Sequence, residues 1–314
     1  MDKVLTSPHL RCRRHTRGIM TDVVIALVPT TLAGCIIFGL PAVLTLTVAV
    51  VFAVAAEAVC CKLQKRCQSI ADMSAVVTGL LLGLSLPATT PWWQTAVGSV
   101  FAVAVVKCIF GGLGFNTVNP AICARVFMIL SFAEVLSYPV PDGADTVASA
   151  TPLSYLEAGA DLSIVKLFFG VRGGCIGEVC IGAILLGMAY LLYKRVIRIH
   201  IPASYLGAVF LLSLIFEDGD PIRALMWTLS GSCVLGAVFM ATDYVSSPAT
   251  PVGKLLYGAG CGALTALVRF YGGYPEGVSF AILFMNFTVP FIETVTEATV
   301  FGTKRGGICL HSKM

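Results

Sequence analysis

Charged residues are scarce in this sequence: only 12% of its 314 residues are Asp, Glu, Lys or Arg, against roughly 25% in soluble domains. Hydrophobic residues make up 57%. A soluble fold could not keep that much apolar surface out of water, whereas lipid solvates it directly. The composition therefore excludes an ordinary soluble domain and predicts an all-α integral membrane protein in contact with the lipid bilayer.

Several motifs that would supply chemistry are also missing. The sequence has no CxxC pair, Walker loop or Ser-His-Asp pattern, and no GxGxxG in a strand–helix setting. We therefore predict no catalytic residue and no metal ligand set in the chain itself. The formal charge of +4 is no signal for nucleic acid, because the basic residues are distributed by topology. The twelve cysteines lie mostly in apolar runs, which is typical of small buried residues, although one could share a metal site with a partner protein.

Apolar stretches between polar breaks predict about ten transmembrane helices. The chain opens with a charged, polar segment rather than a signal peptide, so we expect the first span to be retained. The candidate spans are roughly 19–39, 41–61, 73–90, 94–112, 117–133, 173–193, 201–216, 223–241, 254–271 and 277–298.

Positive charges predict the orientation of these spans. With ten spans, all four basic clusters fall on one side, which is then cytoplasmic together with both termini, while acids gather on the other side. The clusters are Arg11, Arg13, Arg14 and Arg17; Lys62, Lys65 and Arg66; Lys194, Arg195 and Arg198; and Lys304, Arg305 and Lys313. The opposing acids are Glu134, Asp142, Asp145, Glu157, Asp161, Glu217, Asp218 and Asp220.

The two halves of the chain resemble each other, since each has five candidate spans and a short third span interrupted by glycine. We predict two inverted five-helix repeats, an arrangement that places binding sites near the repeat interface. The predicted regions are a cytoplasmic segment 1–18, a first repeat 19–133, an external loop 134–172, a second repeat 173–298 and a cytoplasmic tail 299–314.

Polar residues at membrane depth are candidates for function. Arg125 falls inside the fifth span and needs a carboxylate, backbone carbonyls or an anionic ligand as partner; Glu57 is one candidate acid. Asp243 lies where the eighth span ends, where it could bind a ligand, hold a cation or cap the helix break. The Asn119-Pro120 pair can start the fifth span, with Pro120 in its first turn.

Six blocks of sequence, taken in order, resemble the D subunits of the Rnf electron-transport complexes. They are SPHLRCRRHTRGIMTDVVIALVP, DMSAVVTGLLLGLSLPATTPWW, GGLGFNTVNPA, DTVASATPLSYL, FMATDYVSSPATP and GGYPEGVSFAILFMNFTVP. The B-type subunits of the sodium-pumping NADH:quinone reductases are a related family. The resemblance covers nearly the whole chain and implies a fold similar to urea transporters.

In both families an FMN is attached through its phosphate to a threonine at the end of a short Ser/Thr-rich motif. The matching stretch here is Ala148-Ser149-Ala150-Thr151, followed by Pro152-Leu153. The resemblance therefore implies a covalent FMN on Thr151, with Ser149 beside it. Ala148 and Ser149 depart from the family pattern, which usually has Ser or Thr and then Gly, while Thr151 and its ATPL context match.

The quinone-reductase relative also carries a riboflavin in the corresponding protein. By resemblance, Asn116, Asn119 and Asp243 are candidates for contacting a second flavin, although helix capping explains Asn119 about as well.

The implied function is to pass electrons through flavin, within a cell-membrane complex that links ferredoxin and NAD to Na⁺ or H⁺ translocation. The implied partners are the flavin-bearing G subunit, the A and E membrane subunits, and the flavin transferase. The alternative is a urea-type small-solute channel of the same fold.

Overall fold

The computed structural model describes residues 15–65, 72–132, 135, 168, 173–272 and 277–296, and within these ranges the regular structure is helical, without strands. The helices are α1 (Thr16–Phe38), α2 (Leu40–Leu63), α3 (Ser74–Ser85), α4 (Trp92–Val100) continuing into a π-helical segment π1 (Phe101–Cys108), α5 (Pro120–Ser131), α6 (Ile181–Tyr193), α7 (His200–Phe216), α8 (Pro221–Leu229), α9 (Cys233–Leu235) continuing into π2 (Gly236–Met240), α10 (Pro251–Tyr271) and α11 (Val278–Thr296).

Each predicted span overlaps one of these helices or a pair of successive ones. Four helices, α1, α2, α10 and α11, are long and apolar enough to cross a membrane, and α8 with α9–π2 forms a fifth candidate bent by 66°. The remaining apolar helices are shorter; α3 has 12 residues and is about 18 Å long at 1.5 Å per residue. The structure supports a multi-pass membrane protein, and the count of ten spans stays a prediction.

Three helices begin with the same local signal, a side-chain cap followed by proline. Asn119, Asp220 and Thr250 each accept hydrogen bonds from first-turn backbone N–H groups of α5, α8 and α10, respectively. The following proline occupies the first helical position, where its fixed φ suits the helix and its missing N–H costs nothing. The sequence interpretation of Asn119-Pro120 as a helix start is therefore confirmed.

Glycines let two helix pairs pack closely. On α3, Gly79 faces α2, and a Cβ at Gly79 would lie 2.8 Å from the Ala49 carbonyl oxygen. On α10, Gly258 faces α7, and its Cβ would lie 2.8 Å from the Ile201 carbonyl oxygen. Each has a second glycine four residues on, a spacing typical of close contact between membrane helices.

The packing of the second half parallels that of the first. Helix α2 packs against α3 and α4, and α7 packs against α8 and α10. The pairing fits two related five-helix units, while their inverted sense and the urea-transporter likeness remain predictions.

Two buried arginines cap helices that end inside the protein. On α5, Arg125 donates to the carbonyl of Ser85, the last residue of α3, and to Cys175 Sγ at 3.3 Å. On α10, Arg269 donates to the carbonyls of Trp227 at 2.7 Å and Ser230 at 2.9 Å, at the end of α8. A guanidinium is well placed there because the carbonyls at a helix C-terminus are not bonded within the helix and carry partial negative charge.

The suggested pairing of Arg125 with Glu57 is wrong. Glu57, on α2, instead pairs with Lys107 in π1. A backbone carbonyl, that of Ser85, is among the partners of Arg125, and backbone carbonyls were one of the partner types considered for it.

Candidate functional site

A cavity lies where the start of α1, the end of π1, the start of α5 and the end of α6 come together. It contains about 770 Å³ of empty space, counting the open solvent at its mouth. Most of its walls are apolar side chains from α1, α3, α6 and π2. The part of this space that can hold the centres of water molecules is about 80 Å³, and apolar walls with a few polar groups are typical of sites for small molecules.

Three of the residues proposed from sequence meet in this cavity. Asn116, Asn119 and Asp243 all line it, although more than 120 residues of chain separate the asparagines from the aspartate. The structure thus brings together the three candidates for a second flavin, and the same walls include Ser74, Thr78 and Lys107.

Asn119 uses its amide to join the two halves of the chain. Its side-chain oxygen accepts from the N–H groups of Ala121 at 3.0 Å and Ile122 at 3.5 Å. Its Nδ2 donates to the carbonyl of Met240, the last residue of π2, at 3.0 Å. Asn116 Nδ2 donates locally to the Val118 carbonyl at 3.0 Å. Asn119 therefore fixes the cavity wall as a cap and a cross-link.

Asp243 lies just after π2. Its carboxylate accepts from Ser246 Oγ at 3.0 Å. Its carbonyl accepts from Ser247 Oγ at 2.6 Å. These contacts lie within the turn that follows π2, and the role of Asp243 stays a prediction.

The cavity also has a cationic wall that the sequence interpretation did not single out. Lys107 Nζ lies 2.5 Å from Glu57 Oε1 and 2.7 Å from Ser74 Oγ. The side chains of Lys107 and Glu57 are 3% and 1% exposed, respectively. The signal was a lysine within the apolar run FAVAVVKCIF, which is rare without a functional or paired role.

The cavity walls combine apolar side chains with a few polar groups. The hydroxyls of Thr78 and Thr242, which also lines the cavity, donate to backbone carbonyls, so their oxygens can still accept from a ligand. Lys107 supplies a positive charge fixed by its two partners.

The attachment site proposed from sequence, Thr151 with Ser149, lies outside the described residues. Within the described residues, no group of three or more His, Cys, Asp or Glu side chains is placed to hold a metal ion, and the cysteines in those ranges form no disulfide.

The helical architecture and the apolar spans define the class: a multi-pass membrane protein with a ligand-sized cavity between its helices. Residues 3–302 match the model of the NQR2, RnfD, RnfE family, and the chain belongs to that family.

Relatives match over nearly the full length. The chain is 45% identical over 308 residues to the D subunit of the Na(+)-translocating ferredoxin:NAD(+) oxidoreductase complex of Acetobacterium woodii, with 96% of each chain covered. It is 37% identical over 322 residues to the D subunit of the proton-translocating ferredoxin:NAD(+) oxidoreductase complex of Clostridium ljungdahlii, with 96% of each covered. It is 36% identical over 329 residues to the D subunit of the ion-translocating oxidoreductase complex of Ectopseudomonas mendocina, again with 96% of each covered.

Proposed function

We propose that this chain is the flavin-carrying membrane subunit of an Rnf-type complex. In that complex, electrons pass between ferredoxin and NAD, and their transfer is coupled to translocation of Na⁺ or H⁺ across the cell membrane. The observation that carries the proposal is the full-length similarity to the D subunits of ferredoxin:NAD⁺ oxidoreductase complexes. The proposed partners are the G subunit, the A and E membrane subunits, and the flavin transferase.

The alternative, a urea-type channel, has less support. The cited relatives are named as subunits of oxidoreductase complexes, and a channel needs neither the ASATPL motif nor a fixed cation in a cavity wall. Both proteins could share a fold, so function has to be argued from the site.

A flavin accepts and passes on one or two electrons, and the chain supplies its position, hydrogen bonds and surroundings. We propose FMN on Thr151, where the polar external loop predicted from sequence would give the transferase access to a hydroxyl. Covalent attachment prevents loss of the group during turnover. Ser149 lies in the same motif but two residues before the acceptor position.

A denaturing gel tests the covalent flavin. In cells that have the flavin transferase, the denatured chain should fluoresce under ultraviolet light, and its intact mass should exceed the sequence mass by one FMN less one water. Thr151→Ala should remove the fluorescence and the electron transfer of the complex. Ser149→Ala is the matched control, since it removes a hydroxyl from the same motif, and it should keep both. An unmodified wild-type chain from such cells contradicts the proposal.

For the cavity we propose a second, non-covalent flavin, with riboflavin as the candidate. Its apolar walls would sandwich the ring, Asn116 and the threonine hydroxyls would meet the polar edge, and Lys107 would place a positive charge near the group when it gains an electron. In a low-dielectric site such a fixed charge favours the negatively charged form of its neighbour.

Cavity filling tests the second flavin. Ile19 lines the cavity on α1, whereas Ile25 on the same helix is 46% exposed and faces away from the core. Ile19→Trp should abolish the flavin that denaturation releases from the purified complex, while Ile25→Trp should leave it unchanged. Equal flavin release from both variants, or none from the wild type, would rule out this use of the cavity.

A further inference from the structure

A second cavity adjoins the first where α6 ends and α10 begins. Its described lining includes three basic side chains, Arg195, Arg198 and Lys254, and no acidic side chain. It contains about 730 Å³ of empty space, again counting open solvent. Tyr244, whose hydroxyl donates to the Val196 carbonyl, lines both cavities and stands between them.

The basic residues that line this second cavity come from separate parts of the sequence. Arg198 lies in the connection between α6 and α7 and Lys254 lies in α10, yet both line the same cavity. Like charges at close range raise the free energy of the folded state unless an anion offsets them.

The helix backbone adds to the positive potential. Lys254 lies in the first turn of α10, which begins at Pro251, and Ile201 in the first turn of α7 lines the same cavity. Helix N-termini carry partial positive charge and favour anions, so a lysine there is opposite to the residue that helix stability prefers.

Arg195 occupies a backbone position that favours glycine. It follows α6 with a φ of 53°, and the N–H of Val196 bonds to the Leu191 carbonyl at 2.9 Å, as in the glycine-terminated ends of many helices. The backbone conformation favours glycine and does not explain why the residue is an arginine. The Arg195 side chain is one of the basic groups that line the cavity.

The neighbouring carboxylates are already engaged. The carboxylate of Asp243 is bonded by Ser246 Oγ and faces the first cavity. Glu293 Oε1 accepts from the N–H of Ala249 at 3.0 Å and does not line the second cavity. Among the described residues that line the second cavity, none is acidic.

We propose that this second cavity binds a phosphate group. Phosphate matches the guanidinium of Arg198, which can donate two parallel hydrogen bonds, and the ammonium group of Lys254, both of which line the space. The phosphate can come from the headgroup of an anionic phospholipid, because basic pockets between membrane helices bind such headgroups, or from free phosphate in solution. The proposal does not depend on the flavin chemistry.

The test uses the complete, detergent-purified complex, stripped of lipid. Native mass spectrometry measures the binding of added phosphatidylglycerol and of diacylglycerol with the same acyl chains, and phosphorus NMR measures the binding of inorganic phosphate. The variants are Arg198→Gln and Lys254→Gln. Arg198→Lys keeps the charge, and Lys194→Gln removes an equal charge from the same connection outside the cavity, where Lys194 lies over the Tyr190 ring.

With lipid as the source, phosphatidylglycerol binds the wild type better than diacylglycerol does. Arg198→Gln and Lys254→Gln each then weaken that binding about tenfold or more, the effect of losing a charge-assisted hydrogen bond, while Arg198→Lys retains most of it and Lys194→Gln all of it. With free phosphate as the source, the same pattern appears in the NMR titration and not with lipid. The proposal is overturned if neither ligand binds, if Lys194→Gln weakens binding as much as Arg198→Gln does, or if the Gln variants bind as the wild type does in complexes that elute normally.

Discussion

Lys107 Nζ lies 2.5 Å from Glu57 Oε1, and both side chains are almost fully buried between α2 and π1. A buried pair of this kind contributes little net stability, because desolvation of both charges offsets their attraction. Removal of one partner, however, leaves the other charged in an apolar environment. The pair is therefore a sensitive probe of the cavity wall.

We predict that Lys107→Met destabilises the complex by about 3–5 kcal/mol, and that adding Glu57→Gln to it restores most of the loss. The measurement is thermal unfolding of the purified complex for both single variants and the double variant. Lys62→Met, which removes an exposed lysine from the last turn of α2, should change little. A double variant as unstable as the sum of the two singles would show that the charges do not act as a pair.

We predict that Arg125→Ala lowers assembly and electron transfer, because it removes the donor to the last carbonyl of α3. Leaving a buried polar group unsatisfied costs about 1–3 kcal/mol. The control is Arg223→Ala: Arg223 pairs with Glu217 at 2.9 Å but is 32% exposed, so its loss should cost less than about 1 kcal/mol. The two variants are compared by the yield of assembled complex and by ferredoxin-dependent NAD reduction. If Arg125→Ala gives wild-type values of both, Arg125 is not needed for assembly or electron transfer.

The positions of the helices could be predicted from sequence because residues that contact lipid are apolar, so stretches of high hydropathy indicate the spans. The start of α5 at Asn119-Pro120 followed from capping chemistry, which is local. The sequence predicts only a short, glycine-interrupted span where the structure has a 66° break between α8 and α9. A break depends on the groups that bond to the exposed helix carbonyls, and here the donor is Arg269 from a different helix.

Pairing across helices was the part that sequence did not determine. Glu57 was matched with the wrong cation, because the rotation of α2 against π1 and α5 decides which base it meets. Asn116, Asn119 and Asp243 were grouped through the family resemblance, and their meeting in one cavity depends on contacts such as Asn119 with Met240. Lys107 was overlooked inside an apolar run, although its charge alone was a usable signal.

Close packing of α7 and α10 gives a third prediction. A Cβ at Gly262 would overlap the Tyr205 carbonyl oxygen and lie 2.7 Å from Ala208 Cβ, so Gly262→Ala should force the helices apart and cost about 1–3 kcal/mol. Gly207→Ala on α7 is the matched control, since nothing lies within 4 Å of its Cβ and alanine favours helix. Thermal unfolding should show a lower midpoint for Gly262→Ala and an equal or higher one for Gly207→Ala; the same shift in both would refute the close approach.

The last prediction concerns orientation, and several described contacts bear on it. Tyr190, near the end of α6, donates to Asp22 near the start of α1 at 2.9 Å. Gln64, at the end of α2, donates to the Cys108 carbonyl at the end of π1 at 3.0 Å. The first contact brings the basic residues that follow α6 close to Arg17 at the start of α1. The second places the end of α2, with Lys62 and Lys65, beside the end of π1.

A shared face for these clusters is what the positive-inside rule requires of the cytoplasmic side. A green fluorescent protein fused after Met314 should therefore fluoresce, and an alkaline phosphatase inserted at Gly143 should be active, because the first matures in the cytoplasm and the second only outside it. The reversed fusions, phosphatase after Met314 and fluorescent protein at Gly143, should both be inactive. If fusions at the two positions report the same side, the number of crossings between Gly143 and Met314 is even, and the ten-span arrangement is wrong even though the helices are correctly placed.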